Sequence, residues 1–171
     1  MKSYLHFAIV SIAIILLQIL IVNHIEINGL INPFIYIYLI LIVPPHTNKV
    51  VNIFIGFAIG LIIDALSNSW GMHMAATTLT SYLRPYIFTL CASQEDTDKT
   101  TISHHTMPAT FIKFASLLTF IHHIALFTLE AFSFNHYWFT LLKTLISSII
   151  TIIIILIFEY IRTINIKTQH R

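Results

Sequence analysis

Long apolar stretches, separated by short polar connectors, set the pattern of this chain. The stretches do not alternate strictly between apolar and polar positions, and all are longer than the roughly 9–11 residues of a membrane-spanning strand. A helix of about 20 apolar residues spans the hydrocarbon core, and its backbone groups are satisfied within the segment. The pattern therefore predicts an all-α integral membrane protein with six spanning helices, over residues 4–22, 30–43, 50–66, 72–90, 111–131 and 141–161.

Three details qualify these spans. The first follows a lysine, but no small-x-small site precedes Asn23, so we expect an uncleaved span rather than a signal peptide. The second is short and lies between Asn32-Pro33 and Pro44-Pro45, which cannot continue a helix. The connector 91–110 is the only long one, and we expect it to be solvated and mobile. No internal repeat is evident, so the chain is predicted to form a single transmembrane domain over residues 1–171.

Composition supports lipid as the solvent. Apolar residues make up 57% of the chain and charged residues only 9%, against about 25% in soluble domains. The mean hydropathy is +0.84. A net charge of +2 gives no indication of nucleic-acid binding, and the single Cys91 excludes an internal disulfide.

Basic residues predict the orientation. With six spans, eight of the nine fall on one side and only Lys143 on the other. The eight are Lys2, Lys49, Arg84, Lys99, Lys113, Arg162, Lys167 and Arg171. The positive-inside rule makes that side cytoplasmic, with both termini inside.

The third span carries a stripe of small and polar residues. Asn52, Gly56, Gly60 and Asp64 follow one another at steps of four, so they share one helix face. Gly56 and Gly60 form a GxxxG pattern that allows close approach of another helix. Two interpretations stay open: close packing with Asp64 capping the turn 67–69, or a docking face for a partner.

The fourth span carries a second polar face, formed by His73, Thr77, Thr80 and Arg84. Such a face should point into the bundle. His73 begins this span just after Asp64 ends the previous one, so we predict that the two side chains pair. The competing hypothesis is that Asp64 caps backbone amides around residues 69–71. For Arg84 we expect snorkelling toward the cytoplasmic interface.

The fifth span contains His122, His123 and Glu130. Two histidines and a carboxylate are compatible with a metal site or a proton relay. Their order is not HExxH, and we favour buried histidines bonded to a neighbouring helix. In the sixth span we expect Lys143 to snorkel outward and Glu159 to form an interfacial pair with Arg162. No catalytic set or cofactor motif emerges, so we predict a protein that is not an enzyme.

Several of these elements occur together in a known family. They are the proline-bounded second span, the segment Gly56-Phe57-Ala58-Ile59-Gly60-Leu61-Ile62-Ile63-Asp64, the turn Gly71-Met72-His73, and Ser81-Tyr82-Leu83-Arg84-Pro85. In these elements, which cover about 55 residues, the chain resembles the rod shape-determining protein MreD. Gly56, Gly60, Asp64, Gly71, His73 and Tyr82 match the family's pattern.

The resemblance implies a non-enzymatic component of the bacterial cell-elongation complex, which synthesises peptidoglycan, in the inner membrane. Its expected partner is a bitopic MreC-like protein and, through it, the MreB filament, RodA and a transpeptidase. The resemblance also implies a fold similar to the S-subunits of energy-coupling-factor vitamin transporters. The alternative function is therefore that of a substrate-binding S-subunit, although the outer connectors are too short to cover much of a ligand pocket. An intramembrane enzyme using His122, His123 and Glu130 is a third possibility.

Overall fold

A computed structural model of the chain describes residues 2–25, 29–97, 99, 102–131 and 137–169, with side chains described between residues 7 and 162 of these ranges except residue 97. Seven α-helices lie in this part of the chain: α1 (Lys2–Leu20), α2 (Ile37–Leu41), α3 (Lys49–Ser67), α4 (Met72–Cys91), α5 (Gln94–Thr97), α6 (Pro108–Ala131) and α7 (Tyr137–Gln169). A 3₁₀ turn, Val22–His24, follows α1. Of the basic residues used for orientation, the side chains of Lys2, Lys167 and Arg171 lie outside the described residues.

The all-helical class is confirmed, since the described residues contain no strand. Four stretches are long and apolar enough to cross a membrane: Phe7–His24, Lys49–Ser67, Pro108–Ala131 and Tyr137–Arg162. Helix α4 is of similar length but more polar, and five of its polar residues are buried within the bundle: His73, Thr77, Thr80, Ser81 and Arg84. The structure thus supports a membrane protein with at least four candidate spans among the described residues.

Side-chain contacts define the two ends of the bundle. Asn23 Nδ2 donates to Ser67 Oγ at 3.0 Å, so α1 and α3 finish side by side at what we call the Asp64 end. The opposite end, where α4 finishes and α6 begins, we call the Arg84 end. There Thr110 Oγ1 donates to the Cys91 carbonyl at 3.3 Å.

The second predicted span is not a continuous helix. Within residues 30–43 only Ile37–Leu41 is helical, and the preceding residues are extended or in a turn. Every residue from 33 to 41 is buried. Prolines at both boundaries limit the helix, and the surrounding helices shield the irregular backbone from lipid. We call residues 30–43 the α2 segment.

The expectation that the whole connector 91–110 is solvated is also wrong. Ile102 is 0% exposed and Met107 is 2% exposed, and both side chains belong to the hydrophobic core of the bundle. Asp96, which is also buried, accepts hydrogen bonds from Ser93 Oγ at 2.7 Å and Thr110 Oγ1 at 2.6 Å. The connector is anchored by two apolar side chains and one carboxylate.

Candidate functional site

The two glycines of the third span lie at the crossing of α3 and α4. A Cβ added at Gly56 would lie 2.6 Å from Ser81 Cβ and 2.7 Å from the Thr77 carbonyl oxygen. A Cβ added at Gly60 would lie 2.7 Å from the backbone nitrogen of Met74. These distances are below any normal carbon contact, so the two helices approach this closely only because both positions are glycine.

Asp64 ties the end of α3 to the start of α4. Its carboxylate accepts from Ser69 Oγ at 2.6 Å, from His73 N at 3.1 Å and from Met74 N at 2.8 Å. The two backbone donors belong to the first turn of α4, where amides lack a partner within the helix. The turn between the helices uses left-handed backbone, with Gly71 at φ 87°.

The predicted pairing of Asp64 with the imidazole of His73 is therefore not formed. Asp64 binds the backbone amide of His73, whereas the ring Nδ1 lies 2.7 Å from Tyr36 Oη. The capping hypothesis is closer to the observed contacts. Asp64 does cap backbone amides, but they are those of His73 and Met74 and not those around residues 69–71. A carboxylate placed at a helix N-terminus accepts hydrogen bonds from the free amides of the first turn, and these bonds do not involve the imidazole of His73.

Tyr36 links α4 to α6 through two histidines. Its hydroxyl lies 2.7 Å from His73 Nδ1 and 3.0 Å from His122 Nε2. Tyr36 and His122 are 0% exposed, and the ring of Phe34 lies 5.2 Å from the ring of His73. We call His73, Tyr36 and His122 the His–Tyr–His chain. His122 Nδ1 is buried with no protein partner among the described residues.

The backbone of the α2 segment is satisfied by side chains from three helices. Gln18 on α1 accepts from Ile35 N at 2.8 Å and donates to the Pro33 carbonyl at 3.1 Å. Ser147 and Thr151 on α7 accept from Asn32 N at 3.0 Å and Phe34 N at 3.2 Å. Irregular backbone in a membrane protein needs such partners, because lipid offers none.

Arg84 completes this arrangement at the other end of the segment. Its guanidinium donates to the carbonyl of Ile40 at 2.7 Å and also to those of Leu41 and Val43. The side chain is 1% exposed and lies 5.8 Å from the ring of Phe114. The expected snorkelling of Arg84 is wrong, since the free carbonyls at the end of α2 bind the cation inside the protein.

The remaining polar residues of α6 and α7 also bond to other elements. His123, which is fully buried, lies 2.9 Å from the Thr119 carbonyl and 3.2 Å from Thr151 Oγ1 on α7. Glu130 pairs with Lys143 at 2.8 Å. The favoured interpretation of these histidines agrees with the contacts of His123. Glu130 is exposed, whereas both histidines are fully buried.

The predicted pair of Glu159 and Arg162 is present, but Glu159 is fully buried and not interfacial. Its carboxylate accepts from Tyr38 Oη and lies 3.4 Å from Arg162 Nη1. It also accepts from His104 N at 3.3 Å, which joins the connector to α7. The α2 segment provides Tyr38, so this segment is bonded near both of its ends.

The sequence-predicted site residues divide into two groups. Seven of them face the interior and build the hairpin of α3 and α4; they are Asn52, Gly56, Gly60, Asp64, His73, Thr77 and Arg84. Gly71 forms the turn, and Tyr82 is 51% exposed on the outer surface of α4. Sequence reasoning missed Gln18, Tyr36, Ser147 and Thr151. Their only signal was a polar group within an apolar stretch.

No three or more His, Cys, Asp or Glu side chains within the described ranges are arranged to hold a metal ion. Searches of family models, curated proteins and solved structures found no match to this chain. What the site does therefore has to be argued from its geometry, which fixes the mutual position of the helices.

Proposed function

We propose that this protein is a non-enzymatic scaffold of a bacterial cell-elongation complex, similar to MreD. One observation carries the proposal. The residues that match the family's pattern lie between positions 56 and 82, and Gly56, Gly60, Asp64 and His73 meet in the hairpin of α3 and α4. The α2 segment bonds to this hairpin through Tyr36 and Arg84. A rigid arrangement of this kind suits a protein that holds partners in position.

We further propose six crossings of the bacterial inner membrane, with both termini in the cytoplasm. Helices α1 and α3 finish at the same end, which requires the chain between them to return through the bundle. We assign that return to the α2 segment, because Asn32 bonds to Ser147 and Tyr38 to Glu159, which lie twelve residues apart along α7. Reporter fusions at Gln94 and His170 should then be cytoplasmic and one at Asn135 external. A cytoplasmic reporter at Asn135 would contradict six crossings.

The alternative, an S-subunit of a vitamin transporter, needs a ligand cavity between the helices. In the described part of the chain, the space beside the His–Tyr–His chain is occupied by the buried ring of Phe34, which packs on His73, His123 and Phe127. This filling favours the scaffold. Copurification of a small ligand with stoichiometric occupancy would favour the transporter subunit instead.

Complementation tests the scaffold directly. The chain should restore rod shape to cells that lack their own MreD, and it should copurify with the MreC-like protein of the same genome, through which MreB, RodA and a transpeptidase would be reached. Gly60→Leu should abolish both results, whereas Ala58→Leu on the exposed face of α3 should preserve them. Correct membrane insertion without either result would contradict the proposal.

A further inference from the structure

The outer surface of the hairpin carries an apolar groove. It lies between α3 and α4 and has a volume of about 540 Å³. Its lining includes Ile53 and Phe57 from α3 and Met74, Ala75, Leu79 and Tyr82 from α4. The groove is open along its length, so any occupant enters from the lipid phase rather than from water.

A cationic and aromatic cluster continues the groove toward the Arg84 end. The ring of Tyr82, in the groove wall, lies 5.9 Å from the ring of Tyr86. Lys49 Nζ lies 4.8 Å from the centre of the Tyr86 ring and 3.4 Å from its hydroxyl. Tyr82 and Tyr86 are each about half exposed, and Lys49 is exposed as well.

The charge of Lys49 is not neutralised within the described structure. The ion pairs found there join Lys99 to Asp96, Lys143 to Glu130 and Arg162 to Glu159, and none includes Lys49. An ammonium group beside a phenol hydroxyl can bind a phosphate through charge and hydrogen bonds. Aromatic and basic side chains of this kind collect at the headgroup level of a bilayer.

The dimensions match a lipid that lies along the hairpin. Twelve residues of α4 separate Tyr86 from Met74, which corresponds to about 18 Å of helix. One leaflet contributes about half of the roughly 30 Å hydrocarbon core. A lipid whose headgroup lies beside Lys49 could therefore place its acyl chain along the groove as far as Met74. Among the described residues the exposed cationic group lies at one end of the groove, which is the pattern that suits an anionic amphiphile rather than an apolar partner helix.

We propose that this groove binds one acyl chain of an anionic phospholipid, whose phosphate lies beside Lys49 and the hydroxyl of Tyr86. The site requires only that the protein lies in a membrane, so it does not depend on the function proposed above. Basic pockets between spanning helices on the cytoplasmic side bind anionic lipids by the same chemistry.

Native mass spectrometry of the full chain, titrated with phosphatidylglycerol or phosphatidylcholine, tests the headgroup. Phosphatidylglycerol should bind more tightly, and Lys49→Gln should weaken it about fivefold. Lys113→Gln is the matched control, because Lys113 is exposed near the start of α6 at the same end but away from the groove. It should change binding less than about twofold. Equal effects of both substitutions, or equal binding of both lipids, would overturn the proposal.

A second pair of variants tests the tail. Ala75→Phe fills the groove and should remove the bound lipid, while Ala58→Phe, on an exposed part of α3 outside the groove, should not. A photoactivatable acyl chain on phosphatidylglycerol should crosslink to Met74 or Leu79 in the wild-type protein. Crosslinks elsewhere, or unchanged binding by Ala75→Phe, would refute the site.

If Ala75→Phe instead converts a dimer to a monomer with lipid binding intact, the groove holds a second copy and the proposal fails. Helix content and elution volume show whether Ala75→Phe is folded; if it is not, the lysine pair and the crosslink decide.

Discussion

The hairpin of α3 and α4 and the α2 segment show two opposite ways of packing backbone inside a membrane protein. In the hairpin the backbone is helical, Asp64 caps the first turn of α4, and Gly56 and Gly60 let the two backbones approach. In the α2 segment the backbone is largely irregular, and Gln18 and Arg84 supply the missing hydrogen bonds. The first region depends on the absence of side chains, and the second depends on particular polar side chains. The two regions should therefore fail in different ways.

Bulk at the glycine crossing should have the largest effect. Gly60→Leu places a side chain against the backbone of Met74, which has no room to move, and we expect a loss of roughly 3 kcal/mol or more in the free energy of unfolding. Denaturation in detergent, followed by circular dichroism, measures it. Ala58→Leu, on the exposed face of the same helix, is the control and should change little. Equal tolerance at both positions would mean that α3 and α4 do not cross closely.

Removal of the buried guanidinium of Arg84 should destabilise the α2 segment. Arg84→Gln leaves the carbonyls at the end of α2 without a charged donor, and we expect a loss of about 2–3 kcal/mol in the same assay. Arg84→Lys should recover only part of it, since an ammonium cannot reproduce the fork of donors. If Arg84 instead extended into solvent, Arg84→Gln would resemble Lys113→Gln, with a change within about 0.5 kcal/mol.

A double-mutant cycle distinguishes the cap from the His–Tyr–His chain. Tyr36→Phe and His73→Phe should be coupled by about 1 kcal/mol, because both remove the hydrogen bond between the Tyr36 hydroxyl and the His73 ring. Asp64→Ala should cost about 1–2 kcal/mol, as loss of a helix cap does. It should be nearly additive with His73→Phe, since Asp64 binds the backbone amide, which the phenylalanine keeps. Strong coupling of Asp64 with the ring of His73 would restore the pairing hypothesis.

Acidification should weaken the anchor that Asp96 provides to the connector. Hydrogen bonds from Lys99, Thr110 and Ser93 hold the pKa of Asp96 well below its usual value. A lowered pKa in the folded state gives a contribution that is complete above the usual carboxyl pKa and is lost as the pH falls below it. The protection factors of the amides at residues 102–107, which are corrected for the intrinsic pH dependence of exchange, should therefore fall between pH 5 and about pH 3. Asp96→Asn should show lower protection factors than the wild type at pH 5 and a smaller further fall; identical profiles would contradict the anchor.

The sequence by itself determined the solvent, the helical class and the hairpin. Apolar length and scarce charge require lipid, and the steps of four from Asn52 to Asp64 place small residues on one face, whatever the rest of the chain does. The apolar length of the stretches and the steps of four are both local properties of the chain, so they can be read from the sequence. The prolines at 33, 44 and 45 also marked the limits of the second stretch, although a full helix was predicted between them.

Only the tertiary structure decided which partners the polar groups find. Gln18 bonds to the backbone of Ile35, Arg84 to the end of α2, and Tyr36 lies between His73 and His122. Each partner comes from a different helix, so no spacing along the chain encodes the bond. The irregular α2 segment is stable for the same reason: apolar sequence alone favours a helix in lipid, and polar side chains of the surrounding helices make another backbone path possible.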